Sequence, residues 1–318
     1  MADGLRRRLQ RWVKPRQPEP LPVTIDRRRI YVLPTSFGLF FGALVAVMAL
    51  GALNFNNNPA LLLALVLAGA AQSSLIAAHM QLSGLRVQSV GAEPVAAGQP
   101  LLLRVGLAAD DARLRQGLQL AGGDAHANVH LHEGAAIAEL AIATERRGLL
   151  PVPRLELSTV QPLGLARAWS HAWPQQELLV YPAPEAHAAP LPPLAGERGR
   201  PRVERAGDDV HHLRAYHAGD APRSIAWKAS ARRDSLLVRE FEQATAAEVS
   251  LEWQATAGLP YEQRIRRLAR WIDDAERDNR RYRLVLPQQS VSPAALGPAH
   301  RHACLRALAL MPAAGAGA

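Results

Sequence analysis

Aspartate, glutamate, lysine and arginine are all absent from residues 30–85 of this 318-residue chain. Inside that stretch, Leu33–Leu53 and Ala60–Ala78 each approach the roughly 20 apolar residues that a helix needs to cross a bilayer. Neither segment has the polar face that an amphipathic helix of a soluble protein shows. The turn formers of Asn54–Pro59 separate them. The sequence therefore predicts an antiparallel transmembrane hairpin over residues 30–80, with the lipid bilayer as a partner.

Cysteine is nearly absent as well, because Cys304 is the only one in the chain. A single cysteine cannot form an internal disulfide, and this usage suits a reducing compartment. The chain also lacks a Gly-x-x-x-x-Gly-Lys phosphate-binding loop. We expect no cofactor. Cys304 lies among alanines and leucines, and we interpret it as a core residue rather than a nucleophile.

The net charge of +9 is distributed unevenly. Residues 1–29 hold nine Lys or Arg and three acidic side chains, so this basic tail carries +6 of the total. Positively charged flanks of membrane helices stay in the cytoplasm. We therefore expect a cytoplasmic N-terminus, an external turn at Asn54–Pro59, and a cytoplasmic location for everything after His79. The same uneven distribution argues against interpreting the basic pI as the sign of a nucleic-acid partner.

Short apolar alternations separated by Gly, Pro and Asp follow the hairpin in residues 81–181. They are typical of an all-β sandwich, which we predict there. The histidines His126, His130 and His132 have the spacing of metal ligands on one strand face, but we interpret them as solvent-facing side chains. The predicted strands are Leu85–Val90, Leu101–Leu107, Asn128–Leu131, Ile137–Ile142 and Arg154–Leu157.

A Pro- and Ala-rich linker at residues 182–205 precedes a domain at residues 206–312, and we predict a disordered tail at residues 313–318. Beyond residue 246, strand patterns alternate with helix patterns, which predicts a small α/β domain. Its predicted elements are the strand Ala247–Trp253, the amphipathic helix Tyr261–Asn279, the strand Tyr282–Leu286 and the helix His302–Leu310.

The densest group of charged, aromatic and glycine residues lies in Gly207–Glu242, hereafter the signature segment. Asp220 is placed to cap a helix from about Ala221 to Arg232. The residues Leu236–Phe241 then have the pattern of a strand. Six basic and six acidic side chains occur in the segment, so it is strongly charged and locally balanced.

The signature segment resembles that of the bacterial family known as domain of unknown function 58. In that family a glycine leads into a Leu-Arg-x-Tyr element, Gly-Asp, an arginine, an Ile-x-Trp-Lys helix, an Ala-Arg pair and a Val-Arg-Glu strand. Val210 departs from the pattern, because an aromatic residue is usual near that position. The residues that match are Gly207, Leu213, Arg214, Tyr216, Gly219, Asp220, Arg223, Ile225, Trp227, Lys228, Ala231, Arg232, Val238, Arg239 and Glu240.

The resemblance implies that the α/β domain is similar to a curtailed von Willebrand factor type A domain. The metal site of such domains begins with Asp-x-Ser-x-Ser at the end of the first strand. Here the matching residues are Glu252-Trp-Gln-Ala-Thr256, which keep a carboxylate and lose the serines. A hard cation needs several oxygen ligands from a shaped loop. We therefore expect no bound metal, with Glu252 as the only weak candidate ligand.

The resemblance also implies partners. Members of the family are typically encoded beside MoxR-type AAA+ ATPases and transglutaminase-like membrane proteins, and are thought to act with the ATPase as adaptor or client. We therefore expect a non-catalytic adaptor in the bacterial inner membrane, with both termini in the cytoplasm. Its signature segment would be either an internal ion-pair scaffold or a docking face for the ATPase. The proposed interaction set within it is Arg214, Tyr216, Gly219, Asp220, Arg223, Trp227, Lys228, Arg232, Arg239 and Glu240.

Two other functions are compatible with the same residues. A metal-dependent hydrolase could use the His- and Asp-rich residues 208–220, although Asp220 already has a capping role. A nucleic-acid-binding membrane protein could use the basic side chains with Tyr216 and Trp227 as stacking faces. The equal number of acidic side chains in the signature segment weighs against the second alternative, because carboxylates repel phosphate.

Overall fold

The computed structural model describes residues 17–111, 113–192, 212–215, 237–240, 248–288 and 290–312, with the backbone alone for 212–215 and 237–240. The chain divides into two compact units. The first, here the β unit, comprises Met1–Ala183 and Ala309–Met311. The second, here the α/β unit, comprises Pro184–Leu308 and Pro312–Ala318.

Two apolar helices form the predicted hairpin, α1 (Ser36–Asn54) and α2 (Asn58–Leu82). Both are long and apolar enough to cross a membrane, with mean hydropathies of 2.2 and 2.0, and only 11% of each apolar window is buried. The Thr35 hydroxyl caps α1 by accepting a hydrogen bond from the Gly38 amide at 3.0 Å. The prediction of two apolar N-terminal helices is confirmed.

Strands account for most of the rest of the β unit, as predicted. The strands are β1 (Val23–Thr24), β2 (Tyr31–Pro34), β3 (Leu85–Ala92), β4 (Val95–Ala96), β5 (Leu101–Ala109), β6 (Arg115–Gly122), β7 (Ala125–Leu131), β8 (Ala135–Ile142), β9 (Gly148–Pro151), β10 (Leu155–Thr159), β11 (Ala166–Ala172) and β12 (Glu177–Tyr181). One four-stranded sheet has the order β1-β3-β5-β8, and a five-stranded sheet has the order β2-β11-β10-β6-β7. A three-stranded sheet has the order β4-β12-β9.

Two short strands near the N-terminus were not predicted: β1 lies in the basic tail, and β2 occupies residues 31–34, which were predicted to belong to the transmembrane hairpin. Strand β1 pairs antiparallel with β3, which directly follows α2. Strand β2, which directly precedes α1, pairs antiparallel with β11. Only two and four residues long, these strands are too short to give a periodic signal. The hairpin therefore leaves the sheets at β2 and returns to them at β3.

Alternating apolar side chains of the two larger sheets share one hydrophobic core. Leu101, Leu103 and Leu107 on β5 are essentially inaccessible to solvent, as are Leu118 and Leu120 on β6. Burial of every second residue is what a strand with one face on a core produces. The last turns of α2 join the same core through Ala78 and Leu82.

The α/β unit is small and mixed, as predicted. Strand β15 (Val249–Glu252) leads through the 3-10 turn Trp253–Thr256 into α3 (Tyr261–Arg277), and β16 (Tyr282–Val285) returns parallel to β15. The unit also contains the antiparallel pair β13 (His212–Ala215) and β14 (Leu237–Glu240), the strand β17 (Ser290–Ala295) beside β16, and α4 (Pro298–Ala309).

Two features of the α/β unit differ from the sequence prediction. Strand β17 was not predicted, because its proline disfavours a strand; proline is tolerated here because β17 lies at the edge of its three-stranded sheet. Helix α4 begins at Pro298 rather than at His302. Proline is well suited to a first helical position, where its missing amide hydrogen is not needed.

Candidate functional site

Three residues of the proposed interaction set lie on described strands. In the antiparallel pair β13–β14, His212 is opposite Glu240, Leu213 is opposite Arg239, and Arg214 is opposite Val238. Arg214 and Glu240 thus occupy diagonal positions on one face, and Arg239 occupies the other. The remaining residues lie outside the described part of the chain, namely Tyr216, Gly219, Asp220, Arg223, Trp227, Lys228 and Arg232, together with residues 208–211 and 217 of the hydrolase alternative.

A cleft of about 480 Å³ lies at the carboxyl ends of β15 and β16. Ligands of α/β proteins generally bind outside the carboxyl ends of parallel strands. Glu252 and Trp253 line one side of the cleft, and Arg283, Val285 and Ser290 contribute to the rest. This is the position at which the sequence analysis placed a doubtful metal ligand.

Several side-chain oxygen atoms near this cleft are already engaged within the protein. Ser250 donates a hydrogen bond from its hydroxyl to a Glu252 carboxylate oxygen at 3.0 Å, and the Arg283 Nε donates to the same hydroxyl at 3.3 Å. The Thr256 hydroxyl is buried and donates to the Trp253 carbonyl at 2.7 Å. Residues Trp253–Thr256 therefore form a closed 3-10 turn at the end of β15.

The side chain of Arg264, on α3, binds the same 3-10 turn. Its guanidinium lies 3.9 Å from the centroid of the Trp253 ring and donates to the Trp253 carbonyl at 2.6 Å. Its Nε donates to the Thr256 hydroxyl at 3.1 Å. A cation above the tryptophan face and beside its carbonyl opposes binding of a second cation there. Among the described residues, no group of three or more His, Cys, Asp or Glu could hold a metal ion.

The arginines of α3 that the sequence places around its apolar face are largely paired. Arg267 makes a bidentate contact with Glu185 at 2.6 and 3.1 Å, and this hydrogen bonding holds the pKa of Glu185 below its usual value. Arg270 contacts Asp274 at 2.9 Å. The Trp271 indole donates to the Ala189 carbonyl at 2.8 Å. The first residues of the predicted linker therefore pack on α3, a contact across 82 positions that no local pattern indicates.

Cys304 belongs to a buried polar cluster between α3, β16 and α4. Its sulfur lies 3.6 Å from Nε2 of His300, whose ring is tilted against Tyr282 at a centroid separation of 4.7 Å. The Tyr282 hydroxyl donates to Glu276 at 2.8 Å. Burial, with a smaller contribution from Glu276, raises the pKa of Cys304 to about 12. The thiol is thus protonated at neutral pH, which disfavours nucleophilic chemistry.

A second cleft, of about 560 Å³, lies on the outer face of the five-stranded sheet. Glu156 in this cleft contacts Arg167 at 2.7 Å and His171 at 3.4 Å. The hydrogen bond with His171, helped by the charge of Arg167, keeps the pKa of Glu156 below its usual value. His126 also lines the cleft, whereas Nδ1 of His130 accepts the Gly117 amide at 3.2 Å.

The C-terminal part of the chain matches a protein-family model. Residues 212–317 match the family model described as "Protein of unknown function DUF58". The C-terminal third of the chain is similar to that family. The match begins in β13 and extends beyond α4, so it supports the resemblance drawn from the signature segment. No curated protein and no solved structure matches the chain.

Proposed function

We propose that the chain is a membrane-anchored, non-catalytic interaction protein that works with a MoxR-type AAA+ ATPase. In this proposal α1 and α2 cross the bacterial inner membrane, both units lie in the cytoplasm, and the signature segment docks on the ATPase. A transglutaminase-like membrane protein is the second proposed partner. Hydrolysis of ATP and the remodelling that it drives are then supplied by the ATPase.

The observation that carries the anchor is the way the hairpin joins the β unit. Its two ends continue β2 and lead into β3, so both ends are fixed to the same set of sheets. Large side chains along its length are exposed, among them Phe40, Val47 and Leu50, each more than 60% accessible. A soluble protein rarely exposes so large a continuous apolar surface. A bilayer would cover that surface while both ends remained on one side.

The lengths of the helices agree with this arrangement. At 1.5 Å per residue, the 19 residues of α1 span about 28 Å, close to the roughly 30 Å thickness of a bilayer's hydrocarbon core. The 25 residues of α2 span about 37 Å, which leaves its last turns outside the hydrocarbon. Those turns contain Ala78 and Leu82, which are buried in the β unit.

The orientation can be tested by cysteine accessibility in a Cys304→Ala background. We expect Asn57→Cys to react with a membrane-impermeant maleimide in intact spheroplasts. We expect Leu102→Cys, on β5 of the β unit, to react only after the membrane is permeabilised. Because Asn57 and Leu102 are both exposed, a difference in labelling reports sidedness rather than burial. Labelling in the reverse pattern would overturn the cytoplasmic location of the two units.

We further propose that the α/β unit is a curtailed von Willebrand factor type A-like domain. The parallel pair β15–β16 joined through α3 supports this proposal. So does the cleft at the carboxyl ends of these strands. In this proposal the domain keeps the fold but does not bind a metal, because the residues that follow Glu252 do not include the serines of the Asp-x-Ser-x-Ser motif.

Lys228 and Arg232 are the proposed contacts with the ATPase. They are four positions apart in the predicted signature helix, and no acidic residue lies between them. Like charges at that spacing destabilise a helix slightly, so an acidic partner is expected nearby. Several arginines of α3 already pair within the α/β unit, which leaves the signature segment as the better source of a cationic docking face.

A pull-down of the ATPase from detergent-solubilised membranes tests this assignment. We expect the double variant Lys228→Glu, Arg232→Glu to remain folded and to lose the ATPase. The matched control is Arg277→Glu, Arg306→Glu, which makes the same change in charge at two exposed positions of α3 and α4 and is expected to retain it. Normal retention by the first variant would place the docking face elsewhere. Degradation of the first variant alone would identify the pair as internal scaffold.

A further inference from the structure

The connection between β10 and β11, residues Val160–Leu165 and hereafter the interface loop, is bonded to the start of α1. The Thr35 amide donates to the Leu165 carbonyl at 2.9 Å, and the Thr35 hydroxyl donates to the Gly164 carbonyl at 2.6 Å. Because the same hydroxyl accepts the Gly38 amide, it joins the loop to the helix cap. The loop and the first turn of α1 are therefore held together within the β unit.

Gly38 shows how closely the two segments approach. A Cβ atom added at this position would overlap the carbonyl oxygen of Leu165. The backbone of the interface loop thus contacts α1 at its third residue, inside the helix rather than before it. The loop consequently lies at the same depth as the first turn of α1.

That depth follows from the length of α1. The helix spans about 28 Å, so it has no excess length with which to cross a hydrocarbon core of roughly 30 Å. Its first residue, Ser36, must then lie at the boundary between headgroups and acyl chains. The interface loop, fixed at the level of Gly38, must lie at that boundary as well.

The exposed side chains of the loop suit this environment. Val160 and Leu163 are 43% and 53% accessible, and the loop contains no charged residue. Leu33, on the neighbouring end of β2, is 40% accessible. Tyr31 on β2 is paired with Trp169 on β11, three residue pairs farther along the two strands from α1 than the pair of Pro34 with Ala166. The centroids of the Tyr31 and Trp169 rings are 5.7 Å apart. Tyrosine and tryptophan are enriched where membranes meet water.

We propose that the interface loop is a second membrane attachment of the β unit, inserting Val160 and Leu163 at the acyl-chain boundary of the leaflet that faces the unit. This inference rests on the proposed membrane anchor and deepens it. The attachment fixes the sheets against the bilayer next to α1 and α2, so that the unit is held at more points than the hairpin alone provides. The partner is the lipid surface itself.

Fluorescence quenching in vesicles tests the proposal on the full chain with Cys304→Ala. Leu163→Cys, Leu102→Cys and Val47→Cys are each labelled with nitrobenzoxadiazole and reconstituted into vesicles of phosphatidylethanolamine and phosphatidylglycerol. Some of the lipid carries a nitroxide, either near the headgroup or near the end of the acyl chain. Leu102 is the matched control, because it is a leucine of similar accessibility, 51%. It lies at the start of β5, beside the end of β3 that is farthest from α2.

We expect the probe at residue 163 to emit at shorter wavelength than the probe at 102 and to lose fluorescence most strongly to the nitroxide near the headgroup. The probe at 102 should lose little to either nitroxide. The probe at 47, near the middle of α1, should lose most to the deep nitroxide. That third result reports the membrane anchor independently of the interface loop.

The outcomes separate the two proposals. If residue 47 is quenched by the deep nitroxide but residue 163 behaves like residue 102, the anchor stands and the interface loop is not a membrane attachment. A blue-shifted probe at 163 that neither nitroxide quenches would show that protein covers the loop, which also overturns the inference. If residue 47 is not quenched, the anchor and the inference fail together.

Discussion

The two units each place a charged side chain at a helix end, and they use opposite charges. In the β unit, the Arg115 guanidinium is fully buried at the C-terminus of α2, where it donates to the Gln81 carbonyl at 2.9 Å and the Ser83 carbonyl at 3.0 Å. In the α/β unit, Glu276 accepts the Gly297 amide at 3.0 Å, directly before α4 begins. Each sign agrees with the dipole of the helix end that it faces.

The difference lies in what each charge holds together. Arg115 also pairs with Asp111 and so lowers the pKa of that carboxyl, and it joins the sheets to the helix that leaves the proposed membrane. Glu276 instead joins α3 to β16 and α4, through the buried Tyr282. The helix end in the β unit is therefore bound by a fully buried cation, whereas the helix end in the α/β unit is bound by a half-buried carboxylate next to a buried tyrosine.

Replacement of Arg115 is expected to have the largest effect. Arg115→Met keeps much of the volume but removes the donor of two carbonyls at the end of α2, and it leaves the Asp111 carboxylate with Arg113 alone. We expect a loss of about 3 kcal/mol in the free energy of unfolding, or a Tm lower by roughly 6 to 12 °C, because buried polar groups lose their partners. Thermal unfolding of the full chain in detergent measures it.

Arg104→Met is the matched control for that variant. Arg104 lies in the same unit, is 56% exposed, and pairs with Glu139 at 3.0 Å. An exposed ion pair contributes at most about 1 kcal/mol, so its loss should change Tm by a few degrees at most. Equal effects of the two substitutions would refute the special role of the buried guanidinium.

Replacement of Glu276 is expected to have an intermediate effect. Glu276→Ala removes the acceptor of the Tyr282 hydroxyl and of the Gly297 amide, at a cost of about 2 kcal/mol. Adding Tyr282→Phe should restore part of that loss, because the hydroxyl left without a partner is removed. Asp278→Ala, at an exposed carboxylate near the same end of α3, serves as the control. Strict additivity of the two substitutions would contradict the network.

Acid should destabilise both units to a smaller extent. The pKa values of Glu156 and Glu185 are lowered in the folded state, chiefly by hydrogen bonds with His171 and Arg267 respectively. A lowered pKa means that the stabilisation is present above the unfolded-state value and is lost as the pH falls through the folded-state value. We expect Tm to fall as the pH drops below the ordinary glutamate value of 4.5, and to fall less steeply in Glu156→Gln and Glu185→Gln. An unchanged slope would contradict the assignment.

The sequence predicts the elements that carry a continuous pattern and misses those that depend on distant contacts. The charge-free residues 30–85 were enough to predict α1 and α2. By contrast, Arg113 is 48% exposed and Arg115 is fully buried, although the two are alike in local sequence. The two arginines differ in burial because Arg115 packs against the end of α2, where it binds the Gln81 and Ser83 carbonyls. The ion pair of Glu185 with Arg267 could likewise not be predicted, because Glu185 lies in a proline-rich stretch 82 positions away along the chain.

The candidate site, like the fold, could be predicted from the sequence only in part. The order of residues in the signature segment identified the family resemblance, and residues 212–317 match that family. The doubt about a metal at Glu252 came from the missing serines alone. What the sequence could not indicate is that Arg264, from α3, stands over Trp253 and bonds to its carbonyl. The roles of Tyr216, Asp220 and the other signature residues that the structure does not describe stay predictions.

Divalent cations are expected to have the smallest effect, essentially none. Glu252 offers one carboxylate that already accepts the Ser250 hydroxyl, and the Arg264 guanidinium stands beside Trp253, the next residue in the chain. Mg²⁺ and Ca²⁺ require six or more oxygens, supplied by protein and water in a shaped loop. Titration calorimetry of the full chain in detergent should therefore give only heats of dilution, and Glu252→Ala should give the same trace. Sub-micromolar binding that Glu252→Ala abolishes would show that the 3-10 turn opens to form a metal site.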